Sequence, residues 1–338
     1  MEIDLVVVGP EQPLAEGIVN CFQDHGLENR IFGPTSEATQ LESSKIFSWK
    51  LMSDLNIPQA HSIPVYDFAS ASSAIHYISE EFSHKGFVVK EDGLAGGKGV
   101  RVYNSRDIES ALLDIKNHFE KNPKKHLLIA QRLYGEEFSV FGILDGEKVV
   151  PFKIAAQDHK RLNDYDLGPN TGGMGAYCPV PIASLETIVD ITNNILNPVV
   201  KEMARRGTPY RGFIYAGMIM TVEGPKVIEF NSRFGDPECQ PIMMMLEDNL
   251  YVPLKLAAQG DIGDYELKFK LGAACCVVLA SKGYPGDVQK GLQISGINEA
   301  NQIPGVKVFY AGIKHEDNMF LTNGGRVLGV TAYSVEGI

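Results

Sequence analysis

The sequence predicts an α/β and α+β protein of several lobes, opening on a partial doubly wound lobe and closing on a small β-rich one. Three observations lead there. Residues 3–55 alternate apolar strand and helix twice, residues 60–132 mix short strands with two helices, and residues 271–330 alternate strand with turn. A chain of 338 residues is too long for one simple core, which fits lobes at 1–59, 60–132, 133–265 and 266–338.

Residues 3–8 read as a continuous apolar strand that turns at Gly9-Pro10 into a helix over 13–25. A second strand at 30–32 closes at Gly33-Pro34, and Thr35 is placed to cap a helix running to residue 55. Asn56-Ile57-Pro58 marks a break. Then come a helix over 67–82, a strand at 87–90, a glycine loop, a strand at 100–103, a helix over 105–121 and a strand at 127–131. Strands at 138–144 and 148–155 meet at the hairpin turn Asp145-Gly146. Residues 158–176 form a polar, glycine-rich span with no regular period, a length that marks functional loops. A helix over 185–206 precedes strands at 213–221 and 226–231, and the last lobe starts near 271.

The chemistry concentrates in Val227-Ile228-Glu229-Phe230-Asn231-Ser232-Arg233-Phe234-Gly235-Asp236-Pro237-Glu238. On a strand, Glu229 and Asn231 share one face, opposite the Phe230 between them. Hard cations such as Mg²⁺ take carboxylate and amide oxygens beside substrate phosphates. Arg233 can clamp an anion, and Asp236 and Glu238 can hold an amine. The strand at 87–90 ends in Lys90 and leads into a loop with Gly93, Gly96, Gly97, Lys98 and Gly99. Its backbone N–H groups can cradle phosphate oxygens, while Lys90 and Lys98 neutralise their charge. The spacing is not the Walker pattern, because Gly99 follows Lys98. Together the two segments point to a metal–nucleotide site.

Composition narrows the classes. A net charge of −11 argues against a nucleic-acid partner. No apolar run reaches a membrane span, and no basic-then-apolar leader opens the chain. The cysteines, at 21, 178, 239, 275 and 276, have no C-x-x-C spacing, so zinc is not expected and a cytoplasmic protein is. His25, His61, His76, His84, His118, His126 and His315 read as surface positions, and Met243, Met244 and Met245 as core filling.

These residues, in this order, resemble the ATP-grasp ligases, and within them the glycinamide ribonucleotide synthetases. The matching segments are Val8-Gly9-Pro10-Glu11, Phe32-Gly33-Pro34-Thr35, Leu41-Glu42-Ser43-Ser44-Lys45 and Lys90-Glu91-Asp92-Gly93-Leu94-Ala95 with Gly97-Lys98-Gly99-Val100. Further on come Gln157-Asp158-His159-Lys160-Arg161, Gly168 to Tyr177, Glu229 to Met243, Gly283-Tyr284-Pro285-Gly286-Asp287 and Thr322-Asn323-Gly324-Gly325-Arg326-Val327-Leu328. The likeness covers essentially the whole chain.

The resemblance implies an ATP-grasp fold, two α+β lobes enclosing ATP. It also implies a reaction in which ATP, glycine and 5-phosphoribosylamine give ADP, phosphate and glycinamide ribonucleotide through glycyl phosphate. By position, Glu229 and Asn231 would bind Mg²⁺ or Mn²⁺. Lys45 and Lys90 would meet the triphosphate, the loop with Gly93, Gly96, Gly97, Lys98 and Gly99 would close over it, and Glu137 would contact ribose. Arg233, Asp236 and Lys98 take the catalytic positions, with Asp236 and Glu238 near the glycine amine. Asp158, His159, Lys160, Asn170, Thr171, Gly172, Gly173 and Met174 would enclose phosphoribosylamine, with Gly9 and Glu11 lining the same pocket.

The sequence also departs from that family. The resemblance leads to the expectation that a glycine-rich opening segment ahead of Met1 and the end of the last lobe are missing from this chain. Trp49 stands where a second lysine is usual, and Ala130-Gln131 replaces an acidic pair facing adenine. The expectation is a monomer acting on small molecules, with the opening segment supplied in trans as one option. The alternative reading is a catalytically silent ATP-binding member of the same family.

Overall fold

The computed structural model describes residues 3–82, 85–96 and 99–337. Gly97, Lys98 and His84, singled out above, lie outside them.

An antiparallel sheet lies at the centre, in the order Gly224–Asn231, Tyr210–Thr221, Glu136–Gly146, Val149–Pro151. Its strand Glu136–Gly146 is buried from Phe138 onward. The cause is cover on both faces, which replaces polar alternation by a continuous apolar run. Phe138, Val140 and Leu144 face a layer made by the helices Ser36–Ser43 and Lys45–Asp54 and a helical run over 185–205. Phe141 and Ile143 face the helices Cys239–Met245 and Tyr251–Gln259, where Met245 is buried and Met243 and Met244 pack at the margin. On that side Phe141 stacks on Phe234 with ring centroids 4.8 Å apart.

A second antiparallel sheet runs Ser62–Val65, Leu127–Gln131, Phe87–Glu91, Val100–Tyr103, and its core is closed by Phe68–Glu81 and Ile108–Lys121. Phe87 and Val89 enter that core. Val88 and Lys90 therefore take the opposite face, and Lys90 Nζ donates to the carbonyl of Ile228 in the central sheet at 3.0 Å. His118, expected at the surface, is buried on the inner stripe of its helix, with Nδ1 3.5 Å from Glu91 Oε1.

The first lobe pairs Val6–Val7 with Ile31–Phe32 in parallel. The helix expected over 13–25 is two helices, Glu11–Ala15 and Ile18–Asp24, turned at Gly17. Thr35 accepts from the Ala38 N–H, as expected of a cap. The helix expected to run to residue 55 breaks at Ser44, because the Ser44 hydroxyl serves the next helix instead. It accepts from Phe47 N at 3.1 Å and donates to Asp92 Oδ1 at 3.0 Å.

The span over 158–176 is not patternless. Gln157–Asp158 and Gly175–Cys178 join a five-stranded sheet with Ala273–Ala280, Arg326–Ser334 and Val306–Tyr310, and Arg161–Asn163 pairs with Leu167–Asn170. Strands of two to four residues are too short to show a side-chain period, so the sequence hides their main-chain pairing.

Candidate active site

The strand Gly224–Asn231 carries a register shift opposite Gly217 and Met218, which places Glu229 beside Gly217. There Glu229 lines a small pocket with Glu137, Ser139, Asp158, Lys160 and Tyr215. Burial opposes its ionisation, but the positive charges of Lys160, Lys90 and Lys45 and a hydrogen bond from Asn231 outweigh that, leaving its pKa below the ordinary value. Lys90 is the mirror case: burial pulls its pKa down, and the Glu229 carboxylate works against that fall.

Lys45 Nζ donates to the carbonyl of Gly93 at 2.9 Å, and Asp92 accepts from Ile46 N at 3.2 Å. The helix break at Ser44 thus ties the first lobe to the root of the glycine loop. Gly93 and Gly96 have φ of +112° and +54°. The Gly99 carbonyl accepts from Glu91 N at 2.8 Å, closing the base of the loop.

No three His, Cys, Asp or Glu side chains converge as a metal cage among the described residues. The ionised Glu229 and its neighbour Asn231 nonetheless fit a divalent cation that completes its shell with water and phosphate oxygens.

Lys160 Nζ sits 2.9 Å from Glu137 Oε2 and 3.9 Å from Asp158 Oδ1. Burial pushes the Asp158 carboxyl upward against the pull of Lys160. His159 is exposed, and its main chain is what the structure uses: N donates to Gly175 O at 2.9 Å and O accepts from Met174 N at 2.8 Å. Thr171 donates through N and Oγ1 to the Lys160 carbonyl, and its Oγ1 accepts from Gly173 N. Asn170 is exposed, on the ribbon paired with Arg161. Gly173 has a φ of +106°, and a Cβ there would lie 2.4 Å from Pro237 Cδ.

Arg233 Nε donates to Glu11 Oε2 at 3.0 Å, and Gly9 is exposed just ahead of that helix. Burial raises the Glu11 pKa, while its own backbone N–H and Arg233 lower it further than that. Glu238 is buried, and burial followed by the negative charge of Asp158 pushes it up to about 7. Ser139 Oγ lies 2.7 Å from Tyr215 OH and 3.4 Å from Glu238 Oε1. Asp236 is turned toward the last lobe, 2.7 Å from Arg326 NH2, and accepts from Gln240 Nε2 at 2.9 Å.

Lys45, Lys90, Glu137, Asp158, Lys160 and Glu229 form one charged group with the Asn231 amide beside Glu229. Arg233, Asp236 and Glu238 follow along the turn after the strand, and Glu11 reaches Arg233 from the first lobe. Sequence reasoning missed Ser139 and Tyr215, which sit on buried strands. It also missed Glu42, whose carboxylate accepts from Ser232 N and Oγ at 2.7 and 2.6 Å. Arg326 lay inside a matched motif without a role.

Three family models match: the phosphoribosylglycinamide synthetase N domain over residues 1–42, its ATP-grasp (A) domain over 43–239 and its C domain over 274–336. The chain is 46% identical over 338 residues to a phosphoribosylamine–glycine ligase of Rhodopirellula baltica, covering 98% of this chain and 76% of that protein. It is 43% identical to the Vibrio cholerae ligase over 98% of this chain and 76% of that one. A crystal structure of the Thermotoga maritima phosphoribosylamine–glycine ligase superposes with a TM-score of 0.82 at 29% identity, covering 99% of this chain and 80% of that one. The biotin carboxylase of Campylobacter jejuni, at 14% identity and a TM-score of 0.73 over 99% of this chain and 72% of that one, shares the fold. The chain has the ATP-grasp fold and belongs to the phosphoribosylglycinamide synthetase family.

Proposed function

We propose that the chain joins glycine to 5-phosphoribosylamine, with ATP cleaved to ADP and phosphate. The observation that carries this reading is the Glu229 carboxylate, held ionised next to Asn231 by Lys160, Lys90 and Lys45, of which Lys45 also donates to the Gly93 carbonyl at the root of the glycine loop. A carboxylate oxygen of glycine attacks the γ-phosphorus, and the bond from that phosphorus to the ADP oxygen breaks. The amine nitrogen of phosphoribosylamine then attacks the glycyl carbon. The carbon–oxygen bond to phosphate breaks, and the nitrogen gives up a proton.

Such a reaction asks the protein for alignment and charge neutralisation more than for acid–base work. Lys45 and Lys90 meet the triphosphate, and Glu137 meets the ribose. The loop of Gly93, Gly96, Gly97, Lys98 and Gly99 excludes water. Glu229 and Asn231 would hold Mg²⁺ or Mn²⁺, which supplies further neutralisation of the phosphates. Arg233 steadies the acyl phosphate, and Asp236 and Glu238 receive the glycine ammonium. Asp158, His159, Lys160 and residues 170–174 enclose the amine substrate, with Gly9 and Glu11. Five free cysteines support a cytoplasmic setting.

The test is ADP release with glycine, with and without phosphoribosylamine. Turnover that needs both supports the reading. ATP binding without turnover, or turnover with a different amine, overturns it. Glu229→Ala should abolish divalent-dependent ATP binding in a calorimetric titration; unchanged affinity would count against the assignment of Glu229.

A further inference from the structure

Arg326, at the start of the strand Arg326–Ser334 in the last lobe, has no role in the reading above. Its NH1 donates to the carbonyls of Gly172 at 2.6 Å and Asp236 at 2.8 Å, and its NH2 donates to Asp236 Oδ2 at 2.7 Å. The Gly172 peptide is gripped a second time: its N–H donates to Tyr284 OH at 2.8 Å. These partners lie 154, 90 and 112 positions apart in the chain, so the contacts are tertiary and not a local turn. The mount is firm, because Ser281 donates from N to Gly325 O and from Oγ to Gly324 O, each at 2.8 Å.

The planar guanidinium fixes its N–H directions, so one Arg can set two segments against each other. The two segments here are the loop that would enclose the amine substrate and the turn whose Asp236 would receive glycine. Three of its five N–H donors are committed to protein oxygens of these two segments, so the contacts the structure shows for Arg326 act through the segments.

We propose that Arg326 and Tyr284 are positioning residues through which the last lobe holds the donor and acceptor halves of the site in register. This rests on the ligase reading above. Three proteins test it: Arg326→Ala, Arg326→Lys, which keeps the charge but loses the fork, and Tyr284→Phe, which removes one oxygen and disturbs the fold least.

Hydrogen exchange in the ligand-free proteins reads the clamp, and steady-state kinetics reads its consequence. In Arg326→Ala, amides over 168–176 should exchange at least tenfold faster while those of the strand Phe87–Glu91 stay unchanged. KM for glycine and for phosphoribosylamine should rise about tenfold or more, with KM for ATP within about twofold. Arg326→Lys should recover only part of the loss, and Tyr284→Phe should show the same pattern at smaller size. Unchanged exchange over 168–176 overturns the clamp. Faster exchange with unchanged KM values overturns its role in the site, and raised KM values without faster exchange would make Arg326 a substrate contact instead. A wild-type chain without turnover would defeat the ligase reading, while the exchange result would still decide the clamp.

Discussion

Arg233 Nε and Glu11 Oε2 meet at 3.0 Å although 222 positions separate them, so the first lobe sets the direction of an arginine rooted in the central sheet. The far side of the same guanidinium donates to Phe234 O at 3.1 Å, and Phe234 is stacked on Phe141. Glu11→Gln removes the charge on one side of this alignment and leaves the aromatic anchor. A charge-assisted hydrogen bond is worth about 1.5–3 kcal/mol, which corresponds to a drop in kcat of roughly 10–100-fold. ATP affinity should stay within about twofold, because Lys45 and Lys90 are untouched. Single-turnover phosphoryl transfer checks this, and an unchanged rate would show that Arg233 is aligned without Glu11.

Glu238 makes the stability of the fold depend on pH. Its folded pKa of about 7 lies above the ordinary 4.5, so between those values the native state keeps a proton that the unfolded chain has released. This contribution is fully present below pH 4.5 and is lost as pH rises through 7. Asp158, also raised, acts in the same direction. In Glu238→Gln that loss disappears. Urea melts at pH 5 and pH 7.5 should show the wild type losing more stability than the variant on going up in pH, by on the order of 3 kcal/mol at most. Parallel curves would mean that Glu238 ionises as an exposed carboxylate does.

Much of this was legible because the chemistry is local in sequence. Glu229 and Asn231 are two apart on one strand, and that spacing alone puts both oxygens on one face. Thr35 as a cap and the apolar run over 138–144 follow from short-range rules as well. The parts that stayed hidden are long-range. Ser44 looks like mid-helix until Asp92, 48 positions away, takes its hydroxyl. Residues 158–176 look patternless because their order comes from main-chain bonds to strands such as Ala273–Ala280. His118 is polar by type but sits on the buried stripe of an amphipathic helix. Arg326 reads as one charge among many, since nothing near it in sequence names Gly172 or Asp236 as its partners.

Gly173 and Gly207 separate the cost of a backbone angle from the cost of a collision. Both have positive φ, +106° and +79°. A Cβ on Gly207, just past the helix Asn197–Arg205, would meet nothing within 4 Å. Gly207→Ala should therefore cost about 1 kcal/mol, the backbone strain alone, and leave kinetics unchanged. A Cβ on Gly173 would lie 2.4 Å from Pro237 Cδ and 3.6 Å from Arg326 NH1. Something must move, and the neighbours are the turn bearing Asp236 and the loop bearing Thr171. Gly173→Ala should cost roughly 1–3 kcal/mol and raise KM for phosphoribosylamine together with the stability loss. Denaturant melts and kinetics on the two variants check the contrast. Equal effects from both would mean that the close approach at Pro237 is relieved without disturbing the site.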